Sequence, residues 1–181
     1  WTGPWMNRQQ LFSRIAKSGW AVSYSTGRAN LWNGPGETLS KSPLWPKYDR
    51  LDGVLVDRPS LLQMESGRFS SWNRFALKAH AQTIRKRLAS EGASQLITYL
   101  FHPLYEPYIN ALNGDAFVLH LYDALFAMPD WTTEKQAQLI RCARRADLIV
   151  TSSKEIQDGL PPDVVAKAET IENGADVEAF S

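Results

Sequence analysis

The sequence has a single cysteine, Cys142, which excludes an internal disulfide and any metal site built from several cysteines. No motif surrounds this thiol, so it is interpreted as a small packing residue of a helix, and it weakly suits a reducing compartment. Neither sign of charge is in excess, because the chain contains 20 Lys and Arg residues and 19 Asp and Glu residues. The composition therefore gives no reason to expect nucleic acid as a partner.

Long apolar runs are also missing. None approaches the roughly 20 residues that a membrane-spanning helix needs. The opening, WTGPWMNRQQ, lacks the features of a secretory leader. We therefore expect a cytoplasmic chain, with residues 1–181 forming one domain of ordinary size.

The last third of the chain alternates strand and helix patterns. Apolar runs with polar ends cover 116–124, 146–153 and 168–176, and helix patterns lie between them at 133–145 and 153–160. This spacing predicts parallel β-α-β units, and hence an α/β, Rossmann-like three-layer domain with a mostly parallel sheet. Ligands of such sheets bind beyond the carboxyl ends of the strands. The residues predicted at those ends are His120, Tyr122, Asp123, Ser152, Ser153, Asn173 and Gly174.

The first 112 residues contain further elements of both kinds. Helices are predicted from Asn7 to Gly19, over 71–91 and over 104–112, and strands over 20–25, 53–57 and 95–100. A helix that leads into a strand usually follows another strand, so we expect one before Trp1, which would make residues 1–7 a strand-to-helix loop able to bind an anion. A frayed terminus is the alternative interpretation.

Residues 26–52 show no regular period and are rich in Gly, Pro, Asn and Ser. A connection of this length is usually a lid or a binding loop. Its two tryptophans, Trp32 and Trp45, either stack on a sugar or a partner, or hold the loop against the domain.

Three residue pairs resemble helix capping boxes, which mark where helices begin. They are Asn7 with Gln10, Thr133 with Gln136, and Ser152 with Glu155. The last pair predicts a helix N-terminus beside the end of the 146–153 strand.

The predicted helix over 71–91 has one apolar face and one basic stripe. His80 lies at the border of the apolar face and is interpreted as structural. The stripe is either an ordinary solvated face or a peripheral contact with anionic lipid at the inner membrane face. The apolar face consists of Leu77, Ala81, Ile84 and Leu88, and the stripe of Arg74, Lys78 and Arg85.

Motifs of common reaction types are absent from the sequence. There is no G-x-G-x-x-G, no P-loop and no G-x-S-x-G elbow, which disfavours dinucleotide oxidoreduction, P-loop hydrolysis and serine hydrolysis. His102 and His120 have no second ligand at metal-binding spacing, so neither a metal nor a cofactor is expected.

Four motifs in order resemble those of GT-B glycosyltransferases of family 4. ADLIVTSS at 146–153, followed by Leu160-Pro161 and by ENGAD at 172–176 with Phe180, is similar to the end of that family's N-terminal domain. HLYDA at 120–124 resembles its acceptor-side strand, and the opening WTGPWMNRQQLFSRIAKSGWAVSY resembles its first loop and helix.

This resemblance implies the N-terminal, acceptor-binding half of a retaining enzyme that moves a sugar from a nucleotide-sugar donor to a hydroxyl of a glycan or lipid-linked acceptor. The family's nucleotide-binding half, with its paired glutamates, would be absent here, so the chain alone would be inactive. Residues 173–181 would lead into the interdomain hinge. Gly3 and Asn7 would lie near the donor phosphates, and His120 and Asp123 would line the reacting region. Acceptor contacts would come from His102, Tyr122, Ser152 and Asn173.

Two other functions remain open at this point. One is a non-catalytic carbohydrate-binding or partner-docking module that uses Trp32 and Trp45. The other is a flavodoxin-like regulatory domain, which the lack of a strand before Asn7 disfavours.

Overall fold

A computed structural model describes residues 7–28 and 42–172 of the chain. Its contacts divide the chain into two compact units, unit 1 over residues 1–94 and unit 2 over residues 95–181. The single-domain assignment stays a prediction. The predictions for Gly3, Trp32, Asn173 and the hinge at 173–181 concern residues outside the described ranges.

Unit 1 is built on a three-stranded sheet with the strand order β1-β3-β2. Its strands are β1 (Val22–Tyr24), β2 (Lys47–Leu51) and β3 (Val54–Arg58), and its helices are α1 (Asn7–Lys17), α2 (Ser70–Ser90) and a 3-10 turn (Leu61–Gln63). Strand β1 runs parallel to β3, and β2 runs antiparallel to it. The predicted strands and helices of this unit are present within a few residues. Asn7, the predicted N-cap of α1, is the first described residue and already lies within the helix.

Strand β2 corrects the prediction that residues 26–52 have no regular structure. Lys47–Leu51 pairs with β3 through a tight turn at Asp52 and Gly53, whose φ angles are 50° and 81°. Asp-Gly is a favoured sequence for such a hairpin turn. The strand was missed because its side chains are exposed or half-buried and largely charged, so it has no apolar run.

A buried charged cluster holds unit 1 together, and we call it the Asp57 cluster. The Asp57 carboxylate accepts hydrogen bonds from His80 Nε2 at 2.7 Å, Arg87 Nη1 at 2.5 Å and Ser25 Oγ at 3.0 Å. Arg87 also donates to the Lys47 carbonyl at 2.9 Å. Burial opposes the charged carboxylate, but the hydrogen bonds and charges of His80 and Arg87 outweigh it and lower the pKa of Asp57. His80 is fully buried, which agrees with its interpretation as a structural residue.

Unit 2 is an α/β unit with a four-stranded parallel sheet, as predicted. Its strands follow the order β4-β5-β6-β7, and every neighbouring pair is parallel. They are β4 (Ile97–Leu100), β5 (Ala116–Leu121), β6 (Leu148–Thr151) and β7 (Ala168–Thr170). The helices are α3 (Glu106–Leu112), α4 (Thr133–Arg145) and α5 (Lys154–Asp158), with 3-10 turns at Pro103–Tyr105, Leu125–Ala127 and Val165–Lys167.

Alternate residues of β5 form the core of unit 2. Phe117, Leu119 and Leu121 are buried and belong to one cluster with Leu139 and Cys142 of α4. Successive side chains of a strand point to opposite faces, so His120 lies on the face away from this core. Burial raises the pKa of the Cys142 thiol to about 12, which agrees with a packing role and disfavours a thiolate nucleophile.

The helix caps of unit 2 lie one residue away from two predicted positions. Helix α4 is capped by Thr132, whose side chain accepts from the Lys135 amide, and α5 by Ser153, whose side chain accepts from the Ile156 amide. The assignments of Thr133 and Ser152 as caps are therefore wrong. Both sequences offer two adjacent hydroxyl residues, and the backbone conformation at the helix entry selects the first or the second.

The cap of α4 can be tested with two adjacent threonines. Thr132→Ala removes the acceptor of the Lys135 amide, at 3.2 Å, and should lower the free energy of unfolding by about 0.5–2 kcal/mol. Thr133→Ala is the matched control, because Thr133 is exposed and is not the cap, and it should change stability by less than about 0.5 kcal/mol. Urea unfolding of both variants measures the difference. A larger loss in Thr133→Ala would contradict the assignment.

Candidate functional site

Polar groups of unit 2 meet at the carboxyl ends of β5 and β6. His120 is opposite Val150 in the register, and Leu121 is opposite Thr151. Immediately after these strands, the Ser152 hydroxyl donates to the Tyr122 carbonyl at 2.9 Å. The structure thus brings His120, Tyr122 and Ser152 to one edge of the sheet, where ligands of open parallel sheets bind.

Four rings contact one another at this edge: Tyr99, Phe101, His120 and Tyr122. We call them the aromatic cluster. The His120 ring centroid lies 5.2 Å from that of Phe101, 5.8 Å from Tyr99 and 6.4 Å from Tyr122. The strand repeat explains this grouping. Leu100 is opposite Leu119, so the residues flanking each leucine point to the other face of the sheet.

His120 is held by a hydrogen bond to Tyr99. The Tyr99 hydroxyl lies 2.8 Å from His120 Nδ1. Burial raises the pKa of Tyr99 to about 12 and lowers the pKa of His120 below its usual value. Both groups are therefore neutral near pH 7. A protonated Tyr99 can donate to Nδ1, which leaves the ring proton on Nε2 and makes that nitrogen a hydrogen-bond donor.

His102 does not join the aromatic cluster through its ring. Its Nδ1 accepts from the Leu104 amide at 3.1 Å, and its ring packs on Trp131 with centroids 6.2 Å apart. Burial and the nearby Lys135 lower the pKa of His102, and Asp130 opposes this shift. The backbone at His102 is extended, so its side chain points away from the side that Phe101 occupies.

The other predicted site residues are Asp123, Asn7, Gly3 and Asn173. Asp123 follows Tyr122 and is exposed, and its carbonyl accepts from the Leu125 amide at 2.8 Å. Asn7 belongs to unit 1, at the start of α1. Gly3 and Asn173 lie outside the described residues.

Sequence reasoning missed two members of the aromatic cluster, Tyr99 and Phe101. A usable signal was present, because the two residues stand two positions apart at the end of a predicted strand. Their spacing places both on the face opposite Leu100, and the parallel register then places them beside His120.

The arrangement is suited to binding hydroxyl groups. A neutral imidazole, two phenols and the Ser152 hydroxyl supply hydrogen-bonding groups, and the ring faces supply apolar surface. Aromatic rings with a few polar groups are typical of small-molecule sites. In the part of the chain that the structure describes, no three His, Cys, Asp or Glu residues come together in a group able to hold a metal ion.

The cause of the His120 shift can be tested by titration. The imidazole should titrate below about 6.5, the usual histidine value, because burial disfavours its charged form. NMR of the ring protons across pH measures this midpoint. Tyr99→Phe removes the hydroxyl but keeps the ring that buries His120, so the titration midpoint of His120 in this variant should also stay below about 6.5. A His120 midpoint of about 6.5 in the wild type would contradict a buried neutral imidazole. A midpoint that is low in the wild type and returns to about 6.5 in Tyr99→Phe would show that the hydroxyl, rather than burial, lowers the pKa.

By its fold the chain is an α/β protein, and the sheet of unit 2 is parallel. Comparison with protein-family models and with curated proteins found no match to the chain.

Proposed function

We propose that the chain is the acceptor-binding half of a retaining glycosyltransferase of the GT-B type. In this proposal a sugar moves from a nucleotide-sugar donor to a hydroxyl of a glycan or lipid-linked acceptor. The observation that carries it is the meeting of His120, Tyr122 and Ser152 at the carboxyl edge of a parallel sheet, with Tyr99 on His120 Nδ1. The four sequence motifs that resemble family 4 also support it.

His120 is the central side chain in this function. Its Nε2–H donates to the acceptor hydroxyl and orients it toward the sugar carbon, while Tyr99 holds the imidazole. Asp123 extends the same edge as an exposed carboxylate. A second domain binds most of the nucleotide in this proposal, and the family resemblance implies a donor-phosphate role for Gly3 and Asn7. Rate enhancement in such a site comes from positioning and fixed hydrogen bonds.

A second candidate function is a non-catalytic carbohydrate-binding module. Trp45 favours it, because its side chain is 67% exposed and the adjacent Leu44 is 55% exposed. Exposed tryptophans offer a flat apolar face to a sugar ring or a partner. This function uses unit 1 and does not need the aromatic cluster.

NMR of the isotope-labelled chain can separate the two functions. Methyl α-glucoside and methyl α-mannoside serve as acceptor-like probes, and UDP and GDP as nucleotide probes. The glycosyltransferase proposal expects a glycoside to shift the signals of His120 and Tyr122, with little response to either nucleotide. The binding-module alternative expects the Trp45 indole signal to shift instead. Absence of any shift at His120 and Tyr122 with both glycosides would contradict the proposal.

The surrounding coding sequence gives an independent check. The glycosyltransferase proposal expects it to continue beyond Phe180 into a domain with a glycine-rich turn and two spaced glutamates. A continuation without these features would count against it.

A further inference from the structure

Helix α2 has an unusually one-sided charge. Its 21 residues contain no Asp or Glu, but they contain five basic residues. Arg87 is buried in the Asp57 cluster, and the other four are exposed: Arg74, Lys78, Arg85 and Lys86. Since the chain as a whole is nearly neutral, this helix concentrates positive charge on one surface of unit 1.

Exposed aromatic side chains lie at the N-terminal end of the same helix. Phe69 is 66% exposed, Phe75 is 61% exposed and Trp72 is 38% exposed. The Trp72 indole donates to the Met64 carbonyl at 2.9 Å, and its ring lies 5.8 Å from that of Phe75. The hydrogen bond holds the Trp72 ring at the surface, and exposed rings cost free energy unless something covers them.

The aromatic and basic side chains share the outward side of the helix. Phe75 and Lys78 are three residues apart and are therefore neighbours on the helix surface. The opposite side is buried in unit 1 through Ala76, Ala81, Ile84 and Leu88. One face thus combines apolar rings with positive charge, the pattern typical of helices that lie in a membrane interface.

We propose that this face of α2, with Phe69 before it, docks on a membrane surface that contains anionic phospholipid. Phe69, Trp72 and Phe75 enter the boundary between head groups and acyl chains. Arg74, Lys78, Arg85 and Lys86 meet the phosphates. Charge complementarity selects this occupant, since the helix contains basic residues and no acidic one. The proposed docking is a surface contact. No helix among residues 7–28 and 42–172 has the length and apolar character of a bilayer-spanning segment.

Vesicle co-sedimentation of the 181-residue chain tests this docking. Vesicles of phosphatidylcholine with phosphatidylglycerol should bind the chain, and vesicles of phosphatidylcholine alone should bind it much more weakly. Binding should weaken as salt is added, because salt screens the lysines and arginines. Equal binding to both vesicles, or binding to neither, would overturn the proposal. So would retention of the chain by an RNA homopolymer in the absence of vesicle binding.

Two lysine pairs provide a charge-matched comparison. Lys78→Gln with Lys86→Gln removes two exposed charges from α2, and Lys17→Gln with Lys154→Gln removes two exposed charges elsewhere. Both double variants change the net charge from +1 to −1, because each loses two positive charges. The α2 pair should lower the partition coefficient roughly 30-fold, and the control pair by less than about threefold. Equal losses in the two variants would overturn the proposal.

The aromatic contribution needs its own variant. Phe75→Ser removes an exposed ring without changing charge, so vesicle binding should fall at least about tenfold. Because the ring is exposed, the variant should still fold. Unchanged binding would reduce the interaction to general electrostatics and overturn the proposed docking. None of these variants touches the aromatic cluster, so their results are independent of the glycosyltransferase proposal.

Discussion

Replacing Asp57 by Asn should destabilise unit 1 by about 3–5 kcal/mol, a large part of the stability of an ordinary domain. The substitution preserves the shape of the side chain and removes its charge. Arg87 is only 8% exposed and would lose its buried counter-ion. The carboxylate also accepts from three donors, and an amide offers a single acceptor oxygen to the same three. Urea unfolding, followed by circular dichroism, measures the loss.

The same substitution at Asp49 is the matched control. Asp49 pairs with Arg58 at 2.5 Å, but the two side chains are 41% and 56% exposed. An exposed ion pair contributes about 0–1 kcal/mol, so Asp49→Asn should have little effect. Similar losses in the two variants would show that burial does not set the strength of the Asp57 cluster.

A double variant separates a buried unpaired charge from lost packing. Asp57→Asn with Arg87→Met removes the buried guanidinium together with its counter-ion, so the loss of stability in the double variant should be smaller than the sum of the two single losses by about 0.5–3 kcal/mol. Simple additivity would contradict the ion-pair interpretation.

Acid unfolding of the wild type provides a further check on Asp57. Its pKa in the folded chain is lowered, so its contribution is fully present above the unfolded value of about 3.9. The contribution is lost as the pH falls through the folded value. Stability should therefore decline below about pH 4 in the wild type and less steeply in Asp57→Asn.

Replacing His120 by Ala should lower kcat at least about 100-fold in the enzyme that carries this chain, if the proposed glycosyltransferase function is correct. The substitution removes the Nε2–H donor and the partner of the Tyr99 hydroxyl. His120 lies on the face of β5 away from the core, so folding should persist. Initial rates of sugar transfer, with unfolding curves as a control for folding, measure the effect.

Two further variants distinguish a reacting role from a structural one. His120→Gln keeps a hydrogen-bond donor on the side chain and should retain more kcat than His120→Ala. Tyr99→Phe keeps the packing and removes the orienting hydroxyl, so its kcat should fall by less than that of His120→Ala. Unchanged turnover in His120→Ala would remove this residue from the proposed mechanism.

The fold of unit 2 was largely predictable because its strands are apolar runs buried against helices. The predicted helix over 133–145 has the observed bounds, and all three strands predicted after residue 115 are present. Strand β2 was not predictable from apolar pattern, since an exposed edge strand needs no apolar run. Its Asp-Gly turn was the available signal.

The candidate site was predictable only along individual strands. The sequence indicates that His120 lies near the end of one strand and that Ser152 follows a neighbouring one. The parallel register brings both residues to one edge. It does not indicate which face His102 occupies, because that depends on the local backbone after β4. The Asp57 cluster was equally hidden, since its members come from separate parts of the chain and only their packing makes them partners.

The Asp57 cluster also determines how unit 1 can come apart. Asp57 of β3 joins Arg87 of α2 to Ser25, the residue after β1, and Arg87 further binds the carbonyl at the start of β2. No one of these segments can detach without stranding a buried charge or donor on the others. Fraying at the end of α2 is thereby linked to opening of the hairpin, and the unit should separate as a single cooperative block.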